Sequence, residues 1–157
     1  MDTCDDIRAQ LRGDHEATLA ELDALRDETD DGRCGFRLKK LRRAWVTHAL
    51  AEEMVVYRAL EGVEAASSSV RADERFAEHD LVDGLFDKLV RGRRSTSHWK
   101  TRLGLLRDLI AGHAASEQEE TFARLSQRLD PEGMCELGRQ FQLARRKLRM
   151  LEDAKAA

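Results

Sequence analysis

His48-Ala-Leu-Ala-Glu52 returns later in the chain as His113-Ala-Ala-Ser-Glu117, and these two stretches decide the fold. In each, imidazole and carboxylate lie four residues apart, so on an α-helix both project from one face about one turn apart, close enough to grip one metal centre. One such pair carries little weight, because Glu is frequent in this chain and a short motif also matches by chance. Two further histidines strengthen the signal. His15 and His79 each stand alone in a helical segment, and each falls in that segment's apolar seam.

Working outward, the segment about 36–61 carries Leu41, Trp45, His48, Glu52, Val55 and Ala59, spaced alternately by four and three. That is a core-facing row with two polar residues set in its middle. A Glu among Val and Trp needs a partner, because an unpaired buried carboxylate is costly. The segment about 98–128 repeats the design as Trp99, Leu103, Leu106, Ile110, His113, Glu117 and Glu120, with Ser95 or Ser97 as its expected cap. A first helix is expected over about 6–28, with Leu11, His15, Leu19, Leu22 and Leu25 in one stripe, ending at the turn signal Asp30-Asp31-Gly32. Ala65-Ala-Ser-Ser-Ser69 reads as a linker to a third helix over about 72–90, where Phe76, His79, Val82, Phe86 and Leu89 share a face edged by Asp83.

Asp130-Pro131 is a good helix start, Asp as cap and Pro in the first turn. After it, Met134, Leu137, Phe141, Ala144, Leu148 and Leu151 alternate by three and four. The plain reading is a fifth helix packed along the others. The sharper one is a helix over 131–152 that pairs with a copy of itself or with another protein. Arg145-Arg146-Lys147-Leu148-Arg149 reads as a solvated face with salt bridges, with an acidic partner as the weaker alternative.

Composition sets the outer bounds. At 157 residues the chain is one domain's length, long enough for a real core. A single Pro and abundant Ala, Leu, Glu and Arg favour helix throughout, with no credible strand. Lys+Arg 27 against Asp+Glu 30 leaves a net charge of −3, which argues against a nucleic-acid partner. No apolar run approaches the ~20 residues of a membrane span, so no membrane partner is expected. Cys4, Cys34 and Cys135 lack CxxC spacing, and the N-terminus is acidic where a signal peptide is basic and then apolar. These features predict unpaired, incidental thiols and a reducing cytoplasm.

Short connections between long helices imply an up-down-up-down four-helix bundle over 1–128, followed by an amphipathic helix over 129–157. His15 lies about 12 residues before the end of its helix and His48 about 13 after the start of the next; at ~1.5 Å per residue the two come level. His79 and His113 agree within roughly one turn by the same reckoning. A lone buried His is more often a core residue than a ligand, but four converging at one depth with two carboxylates point to metal.

The ordered set His15, His48-xxx-Glu52, His79, His113-xxx-Glu117 resembles the hemerythrin-like domain, the HHE cation-binding family. The likeness extends to His48-Ala-Leu-Ala-Glu-Glu-Met-Val-Val-Tyr57 and His113-Ala-Ala-Ser-Glu-Gln-Glu-Glu-Thr-Phe122, and spans residues 10 to 128. It implies a non-haem centre of two Fe ions per chain, oxo- or hydroxo-bridged, with Glu52 and Glu117 shared between the irons and the four His as terminal ligands. Oxygen-carrying hemerythrins place two His four apart on the third helix, whereas here His79 is followed at that spacing by Asp83. Asp83 is then a ligand, a hydrogen-bond acceptor for an imidazole N–H, or a solvent-facing residue. Glu53 and Glu120 are similar cases, read as solvated or as holding an imidazole from behind. Tyr57 reads as structural, with a ligand or redox role as the alternative. His98, ~22 Å along the axis from His113, cannot serve the same centre.

Imidazole and carboxylate also take Zn or Mn. Trp45, Val55, Phe86 and Ile110 are expected to line an apolar pocket open to a small diatomic such as O2 or NO, or to peroxide. The first functional expectation is thus a metal-binding protein that binds or senses O2, NO or iron. The alternatives are a di-iron enzyme that decomposes peroxide or reduces NO, and a helical interaction module with merely buried histidines.

Overall fold

The computed structural model describes residues 6–61 and 67–156, and among them every regular element is a helix. In chain order these are α1 (Ile7–Asp27), α2 (Asp31–Glu52), a π-helical turn (Glu53–Tyr57), α3 (Arg58–Glu61), α4 (Ser67–Arg91), α5 (Ser97–Ser116), a second π-helical turn (Glu117–Thr121), α6 (Phe122–Arg128) and α7 (Pro131–Ala156). α1 packs on α2 and α5, and α4 packs on α2 and α5. The four long helices therefore close into the expected up-down-up-down ring, and α7 lies along α1 and α2.

Caps set the boundaries. Asp6 accepts from the Arg8 amide at 2.8 Å and starts α1; Asp30 accepts from the Arg33 amide at 2.6 Å and starts α2. Asp30-Asp31-Gly32 is thus a helix start and not an open turn, and the second helix begins five residues before the expected 36. Neither Ser95 nor Ser97 caps α5. Thr96 does, its hydroxyl accepting from the Trp99 amide at 3.2 Å. Asp130 accepts from the Gly133 amide at 2.8 Å ahead of Pro131, as expected of an Asp-Pro start. Ser67, Ser68 and Ser69, expected in a linker, belong to α4; Ala65 and Ala66 lie outside the described residues. Gly92 closes α4, where a Cβ would stand 2.8 Å from the Lys88 carbonyl oxygen and 3.2 Å from the Trp99 ring.

The apolar interior falls into two clusters. One gathers Leu22, Leu25, Leu38, Trp45, Phe86, Trp99 and Ile110; the other gathers Ile7, Leu11, Val56, Tyr57, Leu125, Leu137 and Phe141. α1, α2 and α4 run from one cluster to the other, α5 reaches the second through α6, and between the clusters lie buried polar side chains: His15 on α1, His48 and Glu52 on α2, His79 on α4, His113 on α5. α7 completes the second cluster by burying Met134, Leu137, Phe141 and Ala144, while Leu151 at its far end is exposed.

The cysteine expectation needs correcting. Cys34 is a buried free thiol, but Cys135 is disulfide-bonded, and Cys4 lies outside the described residues. Cysteine usage therefore no longer argues for a reducing compartment. No helix is long and apolar enough to cross a membrane among the described residues.

Candidate metal centre

The six residues singled out by the two motifs and the lone histidines meet in the middle of the bundle. His15, His48, His79, His113, Glu52 and Glu117 are each at most 4% exposed. His15 Nε2 lies 3.1 Å from His48 Nε2, and His15 Nδ1 lies 3.4 Å from Glu117 Oε2. Glu52 Oε2 is central: it stands 3.6 Å from His48 Nε2, 3.5 Å from His79 Nε2 and 3.7 Å from His113 Nε2. Three overlapping triads have donor atoms within 4.8 Å of one another: His15/His48/Glu52, His15/His113/Glu117 and Glu52/His79/His113.

Carboxylates outside the cluster fix three of the rings. His48 Nδ1 donates to Asp14 Oδ2 at 2.9 Å, His79 Nδ1 to Glu53 Oε1 at 2.8 Å, and His113 Nδ1 to Glu78 Oε2 at 3.1 Å. An ionised carboxylate only accepts, so each Nδ1 carries a proton and Nε2 is the atom each ring turns inward. Those nitrogens face one Glu52 oxygen at 3.5 to 3.7 Å, close to the spacing of two donor atoms on one metal ion.

The donor set fits a metal as well. Both oxygens of Glu52, both of Glu117, His15 Nδ1, His79 Nε2 and His113 Nε2 are buried with no hydrogen-bond partner. A protein does not ordinarily leave so many polar atoms unpaired around one point. Two imidazole nitrogens on one ion stand roughly 3.0–3.4 Å apart at ordinary bond lengths, close to the 3.1 Å between His15 and His48.

Without a cation, protons redistribute over the cluster. Burial works to raise the Glu52 carboxyl, but contacts with His113, His48 and His79 outweigh it and hold it well below the usual range. Burial raises Glu117, and the negative charge of Glu52 raises it further. Burial lowers His15 to about 3, with the charge of His48 adding to the effect. His79 resists burial through Glu52 and Glu53 and is raised to about 9. In the metal-free site the surroundings thus favour the ionised form of Glu52 and the protonated form of Glu117.

The other expected residues fall in different places. Glu53 holds His79 from behind. Asp83 faces the surface, where Arg42 Nε and Nη2 donate to it at 2.8 and 3.1 Å. Glu120 is exposed, with Arg75 3.9 Å away. Tyr57 is buried and stacks on His79 with ring centroids 5.9 Å apart; its hydroxyl has no hydrogen-bond partner. His98 is exposed at the start of α5. Trp45 packs within 5.5 to 5.9 Å of the His48, His79 and His113 rings, and Phe86 and Ile110 share its cluster. Val55 does not join them but packs on the opposite cluster.

Three contributors were not read from the sequence: Asp14, Glu78 and Arg145. A usable signal existed for two. Asp14 precedes His15 and Glu78 precedes His79, and each acid supports the histidine of the adjoining motif helix, His48 or His113. Arg145, taken for a solvated residue, donates from Nη1 to Asp14 Oδ2 at 2.9 Å.

Residues 6–125 match the family described as the hemerythrin HHE cation binding domain. No curated protein and no solved structure matches the chain.

Proposed function

Because the chain belongs to the hemerythrin HHE cation binding domain family, we propose that its four buried histidines and two buried glutamates hold a pair of iron ions whose business is a small ligand, O2 or NO. The observation that carries this reading is the set of unpartnered carboxylate oxygens and imidazole nitrogens facing one another. A module with merely buried histidines has no use for such an arrangement and would be more stable with apolar residues there.

The bound metal would supply the redox and ligand-binding chemistry. The chain's own residues do the rest. His15, His48, His79 and His113 would offer neutral nitrogens; Glu52 and Glu117 would offer charge shared between the ions. Asp14, Glu53 and Glu78 keep the proton on the outer nitrogen of their rings. Trp45, Phe86 and Ile110 exclude water on one side, and a small neutral ligand crosses such an apolar wall more readily than an ion does.

Metal analysis of protein purified without added metal or chelator tests the reading, together with its optical spectrum in air and after anaerobic reduction. Two irons per chain with near-ultraviolet absorption that bleaches on reduction are expected. Substoichiometric metal that anaerobic Fe(II) cannot replace would overturn it. Turnover of peroxide faster than free iron would move the function from binding to catalysis.

A further inference from the structure

We propose that Asp14, Phe141 and Arg145 make α7 the outer support of His48, so that the seating of α7 sets how firmly the metal centre holds its ions. The inference rests on the metal reading above and adds an element that the family match does not include, since the match ends at residue 125 and α7 begins at Pro131.

Four contacts carry it. Asp14 Oδ2 accepts from His48 Nδ1 at 2.9 Å. The same carboxylate takes Arg145 Nη1 at 2.9 Å on Oδ2 and 3.1 Å on Oδ1, so one nitrogen of α7 is shared between both oxygens. Phe141, fully buried, meets the His48 ring edge-on with centroids 5.8 Å apart, and the Arg145 guanidinium lies over that phenyl ring at 5.5 Å. His48 is thus gripped on its polar edge through Asp14 and on its face by α7 directly. α7 is anchored farther along by Arg43 of α2, which reaches Glu152 at 2.8 Å and also pairs with Asp153.

Glu53 and Glu78, the carboxylates behind His79 and His113, come from the bundle itself, and α7 reaches His79 indirectly, through Tyr57, which shares its apolar cluster and stacks on that ring. A displacement of α7 would therefore loosen His48 first among these three. Carboxylates behind ligating histidines typically contribute about 10- to 100-fold in metal affinity, and Arg145 acts one step farther out.

The test uses the full chain loaded anaerobically with Fe(II) and follows iron release to an excess of chromogenic chelator at a temperature where circular dichroism shows every variant folded. Arg145→Gln keeps a polar side chain but removes the charge that meets both Asp14 and the Phe141 ring; it should release iron about tenfold faster than wild type. Arg145→Lys should restore release to within about threefold, because a single nitrogen makes both contacts to Asp14. Arg139→Gln, an exposed α7 position paired among the described residues with Glu136 of its own helix, should match wild type. Fast release by Arg145→Gln with rescue by Lys supports the proposal. Wild-type release by Arg145→Gln overturns it, as does a lower melting temperature of the metal-free protein with unchanged release, the signature of a purely structural ion pair. A wild-type chain that takes up no iron overturns the metal reading itself, a distinct result.

Discussion

Glu117 and Glu52 are chemically the same side chain in nearly mirrored positions, yet the protein treats them differently. Burial and the charge of Glu52 favour the protonated form of Glu117 in the metal-free state, whereas contacts with three imidazoles favour the ionised form of Glu52. Glu117→Gln imitates the protonated acid. It should leave the melting temperature of the metal-free protein within about 2 °C while abolishing the rise on adding Fe(II). That rise, for free metal near 1,000 times the dissociation constant, corresponds to about 4 kcal/mol and to about 8–16 °C in a chain of this length. Glu52→Gln removes a charge on which three imidazoles depend, so the metal-free protein itself should lose about 3 kcal/mol. Thermal melts by circular dichroism with and without Fe(II) read both; an undiminished metal-induced rise in either variant would remove that residue from the ligand set. The six residues of the centre were legible because each breaks an apolar seam at a helical spacing. Asp14 and Glu78 carried a weaker signal, an acid directly before each lone histidine, which does not by itself say whether the acid faces solvent or the next helix.

At the scale of the element, the long helices are legible but their register is not. The pattern through Leu41, Trp45, His48 and Glu52 continues as Val55 and Ala59 if the helix stays α throughout. In the structure Val55 is half-buried and Ala59 exposed, while Val56, Tyr57 and Leu60 are buried. The reason is the π-helical turn over Glu53–Tyr57, which inserts one residue and rotates everything after it. The second motif does the same: Glu120 is exposed and Thr121 buried behind the π-helical turn over Glu117–Thr121. Both turns start directly after, or at, the motif glutamate, where such bulges commonly mark functional sites. Amino-acid patterns carry no separate signal for a five-residue turn, so the slip shows only in the folded chain. Ala59→Glu should then change stability by no more than about 0.5 kcal/mol, and Leu60→Ala should cost about 2–3 kcal/mol. Urea denaturation of the two variants would invert this order if the helix were α throughout.

For the whole molecule, the question is whether α7 is an appendage to the bundle or a wall of it. Its seam, Met134, Leu137, Phe141 and Ala144, was legible as apolar, but a seam does not say what covers it. Here α1 and α2 do, and the same cluster contains Ile7, Leu11, Ala51 and Val56 from the bundle. Removing residues 131–157 would expose those four together with Tyr57, which stacks on His79, and would also take away Arg145. Phe141 alone, truncated to Ala, should cost about 3–5 kcal/mol, a sizeable share of the 5–15 kcal/mol by which a domain is ordinarily stable. The chain ending at Asp130 should therefore keep much of its helical far-ultraviolet signal, lose a cooperative melt, bind a hydrophobic dye and retain no iron through gel filtration. A truncated chain that melts cooperatively and keeps its iron would make α7 an appendage, and would return the apolar seam of 131–152 to the role of a surface for another chain.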